Sequence, residues 1–301
     1  MDMERPIQVA DFFHPLRARL GGLPVNETLY QGTPEWMRPA LVKWVSEFFQ
    51  SDSMLARNVT FALRLSMGNT SLYASRIALL SGEDLLEAVD ACLALHSSGE
   101  RLDRYIRESP SYSIPPDAKL LRSKMVSLEE ILSRCGSYLR VDGLARRLVR
   151  RVDATAQASF DEVRIEAPED AARLLESAWI HAYGLDPDPD KSYSESVKAV
   201  EAVLNPLVSP NDSVPTLGKT LSALRQQAKS GKWEINVGDA QNQGQNIERF
   251  TGMVDLLWKN QLSRHAGGAN ARSQDQHEAE AVLHLAVLIV QWVNTNVIKK
   301  V

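Results

Sequence analysis

Two arginines and two histidines stand between positions 264 and 277, as Arg264, His265, Arg272 and His277. An imidazole exchanges protons near neutral pH, and a guanidinium holds a phosphate and stabilises developing negative charge. With the 2′-hydroxyl of RNA as nucleophile, those two groups suffice for cleavage without a metal ion. Arg272 and His277 have four residues between them, and no other Arg in the chain is followed by a His at that spacing. Glu201 or Glu195 is the acidic companion expected, on a helix that would face this segment.

The elements that must position these groups are helices. Trp258-Lys-Asn-Gln-Leu-Ser-Arg264-His265-Ala-Gly-Gly268 is a polar, glycine-containing break between two apolar patterns of helical period, 247–262 and 278–297. Upstream, Glu169 to Ala182 predicts a helix, and Asp186-Pro-Asp-Pro-Asp190 an extended connector, because proline at alternate positions cannot continue a helix. Helices follow over 193–208, with Pro206 in the last turn, and over 217–228, closed by Ser230-Gly231. In the first half, Thr33-Pro34 predicts a helix start, Met54 to Leu65 a second helix, and Asp84 to Leu95 a third with Leu85, Leu86, Val89 and Leu93 inward. The stretch 97–118 reads mostly as loop, around at most one short helix. A domain boundary is expected between Val152 and Pro168, giving helical domains over 1–152 and 168–301 and an all-α, two-domain fold.

A second basic cluster surrounds a Tyr138-Leu-Arg-Val141 stretch that reads as a short strand ended by Asp142-Gly143, with no convincing second strand. Arg146, Arg147, Arg150 and Arg151 follow, and on a helix Arg146 would share a face with Arg150 and Arg147 with Arg151. Two readings stand: a solvated face paired with acids elsewhere, or an RNA-binding patch contacting phosphates.

Composition narrows the class. The 301 residues exceed the size at which one core stops growing, and 44% hydrophobic with 24% charged residues is ordinary for a globular chain. A net charge of −4 argues against coating nucleic acid through overall charge. Cys92 and Cys135 make no metal or redox spacing and read as reduced thiols. No signal-peptide pattern opens the sequence, and Ala279 to Val293 is too short to span a bilayer, so a cytoplasmic location with no membrane partner is expected. Gly218-Lys219-Thr220 ends like a Walker A motif, but Ser213 stands where its first glycine belongs and no strand precedes it. No spacing supports a metal or any other cofactor, so none is expected.

Over roughly 170–297 the chain resembles the HEPN superfamily, and more closely the C-terminal domains of abortive-infection-like bacterial proteins. The resemblance rests on Ala178-Trp-Ile-His-Ala-Tyr-Gly184, Tyr193-Ser-Glu-Ser-Val-Lys-Ala-Val-Glu201, Thr216-Leu-Gly218, Leu257-Trp258, Ser263-Arg-His265 and Glu278-Ala-Glu-Ala-Val-Leu-His-Leu-Ala286. It implies a bundle of four or five helices that often forms a homodimer, with RNA or another defence-system protein as partner. In active members an Arg ending the penultimate long helix and a His after four to six intervening residues cleave RNA. Arg264 matches that Arg by position, but Ala269, Asn270 and Ala271 stand where the His would be. The resemblance therefore implies one of two functions: an antiviral, toxin-type endoribonuclease using Arg264, His265, Arg272, His277 and Glu201, or a catalytically silent module binding RNA, a nucleotide or a protein.

Overall fold

The computed structural model describes residues 29–30, 32–52, 54–68, 72–108, 113–237, 242–260 and 272–301. The chain divides after Arg151 into two compact units, and among the described residues it is mainly helical with two small two-stranded sheets.

The first unit holds α1 (Arg38–Ser51), α2 (Leu55–Ala62), α3 (Tyr73–Ala78), α4 (Gly82–Leu95), α5 (Gly99–Glu108), α6 (Pro116–Arg134), β1 (Leu139–Asp142) and β2 (Arg147–Arg150). Leu41, Trp44, Val45 and Phe48 recur at helical spacing and turn one face of α1 inward, where α4 and α6 pack on it. Trp44 Nε1 donates to the Lys124 carbonyl of α6 at 2.8 Å, so the large ring is buried without orphaning its one donor. The start expected at Pro34 is displaced. Residues 35–37 form a turn, α1 begins at Arg38, and the Thr33 hydroxyl donates to the Gly82 carbonyl rather than capping α1. The 97–118 stretch is also more helical than expected, because α5 occupies ten residues of it and α6 starts at Pro116.

The arginine-rich stretch is where the helical expectation fails. Arg147–Arg150 is a strand, paired antiparallel with β1 in the register Leu139↔Arg150 through Asp142↔Arg147. Asp142 Oδ1 accepts from Leu144 N at 3.1 Å and Ala145 N at 2.9 Å, and Arg146 takes φ 53°, which together turn the chain back within four residues. Only Leu148 and Val149 of β2 are buried, so the strand carries no alternation of polar and apolar residues that would reveal it.

The second unit contains α7 (Ala154–Glu166), α8 (Glu169–Tyr183), α9 (Pro189–Val208), α10 (Leu217–Lys229), β3 (Trp233–Ile235), α11 (Gln243–Lys259), α12 (Gln276–Asn294) and β4 (Ile298–Lys300). The segment expected to hold the domain boundary is thus largely the helix α7, capped by Asp153. α9 packs on both α8 and α12 and forms the centre of the bundle. Small side chains allow the approach: Ala171, Ala172, Ala178 and Ala182 of α8 are buried, as is Ala199 of α9. Phe160 and Trp179 stack with centroids 4.0 Å apart and planes 11° apart. Tyr193 donates its hydroxyl to the Leu257 carbonyl at 2.9 Å, fastening α9 to α11.

The expected extended connector at Asp186–Asp190 ends early. Asp188 accepts from Lys191 N as N-cap and Pro189 takes the first helical position, where its missing N–H and fixed φ suit the turn. β3 and β4 pair antiparallel, an element with no sequence signal in either three-residue segment. Among the described residues, no helix is long and apolar enough to cross a membrane.

Candidate functional site

Arg264 and His265 lie outside the described residues. Arg272 and His277 stand at the start of α12. Asp275 caps this helix by accepting from Glu278 N at 2.9 Å, and Glu278 returns the bond by accepting from Asp275 N at 3.0 Å. Arg272 lays its guanidinium across both oxygens of the Glu278 carboxylate and donates to the Ser273 carbonyl at 2.9 Å. The hydrogen bond from Arg272 is the largest influence holding the Glu278 carboxyl below its usual range. His277 is exposed in the same first turn.

Glu201 is engaged elsewhere. Its Oε1 accepts the Leu217 N–H at 3.2 Å and serves the free N-terminus of α10. Glu195 is 7% exposed, and its Oε1 receives Lys191 Nζ at 3.1 Å and Lys198 Nζ at 3.0 Å. Burial drives its carboxyl upward, but the bonds from Lys198 and Lys191 outweigh burial and set it below the ordinary carboxylate range. The α9 carboxylate that reaches the segment before α12 is Asp190, whose Oδ1 accepts from Gln274 N at 2.8 Å. Sequence reading missed it because Asp190 lay in the presumed connector.

In the first unit the arginine cluster meets carboxylates from three helices. Arg146 is held by both oxygens of Asp103 at 3.1 Å, Arg147 Nε donates to Asp90 Oδ2 at 2.7 Å, and Arg151 donates to Glu129 Oε1 at 2.7 Å. Two of these acids also hold the hairpin backbone: Asp90 accepts from Leu148 N at 2.6 Å and Glu129 from Val141 N at 2.8 Å. Burial raises the Asp90 carboxyl, opposed in part by Arg147. Arg146 Nη1 also donates to the Ala94 carbonyl at 3.2 Å. Arg150 pairs with Leu139 in the strand register and has further partners of its own.

An open polar groove that collects charged side chains lies in the second unit, along the α8–α9 hairpin. It measures about 710 Å³, within the range of small-ligand clefts. Arg173, Lys191 and Lys198 supply its cations, Asp170, Glu195 and Glu201 its carboxylates. Ser177 and Asn205 add neutral polar groups, and Leu174, Ala202 and Pro206 a short apolar wall. Sequence inspection did not single out this set, because Arg173 and the two lysines converge only once α8 folds back on α9. The available signal was the spacing of Lys191, Glu195, Lys198 and Ala202 at three or four residues, which puts them on one stripe of α9.

Among the described residues, no group of three or more His, Cys, Asp and Glu side chains is placed to hold a metal ion. The two cysteines are unpaired, and burial, with a smaller push from Asp90, raises the Cys92 thiol far above its usual range. Compared with protein-family models, with curated proteins and with solved structures, the chain matches none.

Proposed function

We propose that the second unit is a HEPN-like helical module that binds a phosphate-bearing ligand without cutting it. The observation that carries this reading is the α8–α9 groove, where Lys191 and Lys198 both reach one oxygen of the buried Glu195. Glu195 neutralises one of the two ammonium groups, so one positive charge remains at that end of the groove, while Arg173, across it on α8, is paired with Asp170 at 3.5 Å. A phosphate placed against the two lysines gains charge-assisted hydrogen bonds without burying an unpaired cation.

Five of the other groups considered for chemistry already have structural duties. Arg272 braces the first turn of α12 through Glu278, Glu201 caps α10, and Arg146, Arg147 and Arg151 hold the first unit together. Ribose 5-phosphate tests the binding reading. Its addition to the full-length protein is expected to shift amide resonances of 191–198, and Lys191→Ala with Lys198→Ala to weaken binding at least about 10-fold, the loss expected for a charged hydrogen-bonded pair. Binding that ignores both substitutions removes the groove from consideration.

Endoribonuclease activity is the second reading, favoured by the exposure of His277 in the first turn of α12 and of Arg272 in the segment just before it. Incubation of RNA with the protein in EDTA separates the two. Cleavage lost in Arg272→Ala and His277→Ala, or in Arg264→Ala and His265→Ala, establishes the nuclease, whereas intact RNA leaves the binding module. The HEPN resemblance also supports a homodimer in the cytoplasm, for which sedimentation of the purified chain is the direct measurement.

A further inference from the structure

We infer that the phosphate-bearing ligand of the α8–α9 groove is a free guanine nucleotide, its base read by Glu201 and Asn205. This rests on the phosphate-binding reading and adds what the other end of the groove contributes. Glu201 and Asn205 are four residues apart on α9 and share a face lining the same space as Lys198.

Their hydrogen-bonding capacity is partly committed, and the remainder has a definite pattern. Glu201 Oε1 accepts from Leu217 N at 3.2 Å, which leaves the carboxylate able to accept two further donors side by side. Asn205 Oδ1 accepts from the Thr220 hydroxyl at 2.6 Å, which fixes the amide so that Nδ2 is its outward donor. One donor beside two acceptors complements the guanine edge, with O6 accepting and N1–H and N2–H donating. Adenine and cytosine place a ring nitrogen acceptor against the carboxylate and are disfavoured, since two acceptors facing one another repel.

The groove dimensions agree with a mononucleotide. Lys198 and Asn205 are seven residues apart, about 10 Å along a helix rising 1.5 Å per residue, the reach from a phosphate to the far edge of its base. Leu174, Ala202 and Pro206 give the base face an apolar surface. None of the residues lining the groove is aromatic, so the stacking platforms with which proteins grip successive bases of a single strand are missing from it. Length and lining together favour one free nucleotide over an RNA strand.

The test is titration of the full-length protein with GMP, AMP, ribose 5-phosphate and an oligoguanylate RNA, in wild type and in Glu201→Gln. Glutamine keeps an oxygen for Leu217 N, so the α10 cap survives. GMP is expected to bind about 10- to 100-fold more tightly than AMP or ribose 5-phosphate, the discrimination typical of a bidentate base contact. Glu201→Gln should bring GMP down to the ribose 5-phosphate level and leave ribose 5-phosphate unaffected. Equal binding of GMP and ribose 5-phosphate, or a GMP preference that survives Glu201→Gln, overturns the guanine assignment while phosphate binding stands. Failure of every probe to bind overturns both, and oligoguanylate binding more than tenfold tighter than GMP replaces the free nucleotide by RNA.

Discussion

Asp190 and Gln274, 84 residues apart, are joined by a hydrogen bond of 2.8 Å from the Gln274 backbone N–H to the Asp190 carboxylate. Gln274 also donates its side-chain Nε2 to the Asn260 carbonyl at 3.1 Å. The end of α11, the first turn of α9 and the residues before α12 are therefore tied at one point, and Arg272 and His277 stand on either side of it. Asp190→Ala removes the acceptor for a part-buried backbone donor. The amide of Gln274 should exchange with solvent about 10-fold faster, corresponding to about 1.4 kcal/mol of lost local stability. Unchanged exchange would mean that the contact does not anchor this segment.

Arg151 and Glu129 form an ion pair with side chains 12% and 11% exposed, and the other oxygen of Glu129 holds the β1 backbone at Val141. Arg151→Ala leaves a nearly buried carboxylate uncompensated, which typically destabilises by about 3–5 kcal/mol. Hydrogen exchange of the β1 and β2 amides reads this locally, in a chain of two units where a single melting temperature is ambiguous. Deprotection confined to the first unit is expected. If Arg151 instead serves to contact RNA phosphates, the substitution should leave exchange intact and reduce the salt dependence of RNA binding.

Arg272 is 49% exposed and its pair with Glu278 faces solvent, so Arg272→Ala should change stability by less than about 1 kcal/mol. Asp275→Ala removes the N-cap of α12 and should cost about 1 kcal/mol, visible as faster exchange in its first turn. The reverse ranking would show that Arg272 carries more of the helix start than its exposure indicates.

His284 contacts the Tyr183 hydroxyl at 2.7 Å. Burial pulls its pKa below the ordinary histidine value, against a smaller upward pull from Glu280. The folded protein therefore binds fewer protons at this site than the unfolded chain. Its contribution to stability is complete above about pH 6.5, declines as pH falls from there through the folded pKa, and is level below that, with a slope of at most about 1.4 kcal/mol per pH unit. Amide exchange in α12, corrected for intrinsic rates, should show this decline between neutral and mildly acidic pH and lose it in His284→Gln. His96, whose pKa burial also lowers, gives the first unit a response of the same sign.

The helices of the second unit other than α7 were legible because each carries its own period: Val197, Val200 and Val203–Leu204 mark the buried face of α9. Local chemistry also located the turn at Asp142-Gly143. The strand partner of that turn was not legible, because Arg147 and Arg150 enclose only two apolar residues and read equally as a helix face. What decided their state was Asp90, whose carboxylate takes both Leu148 N and Arg147 Nε from a helix more than fifty residues away.

The same limit applies to charge. The order of residues is enough to place Arg272 and His277 five positions apart and Lys191, Glu195 and Lys198 on one stripe of a helix. Packing is what turns Arg272 to Glu278, sets Glu201 at the start of α10 and brings the lysine stripe to face Arg173 across a groove. The spacing of side chains on one element follows from helix geometry, whereas the partner of a charge is set by which second element packs beside it, and that depends on apolar contacts far along the chain.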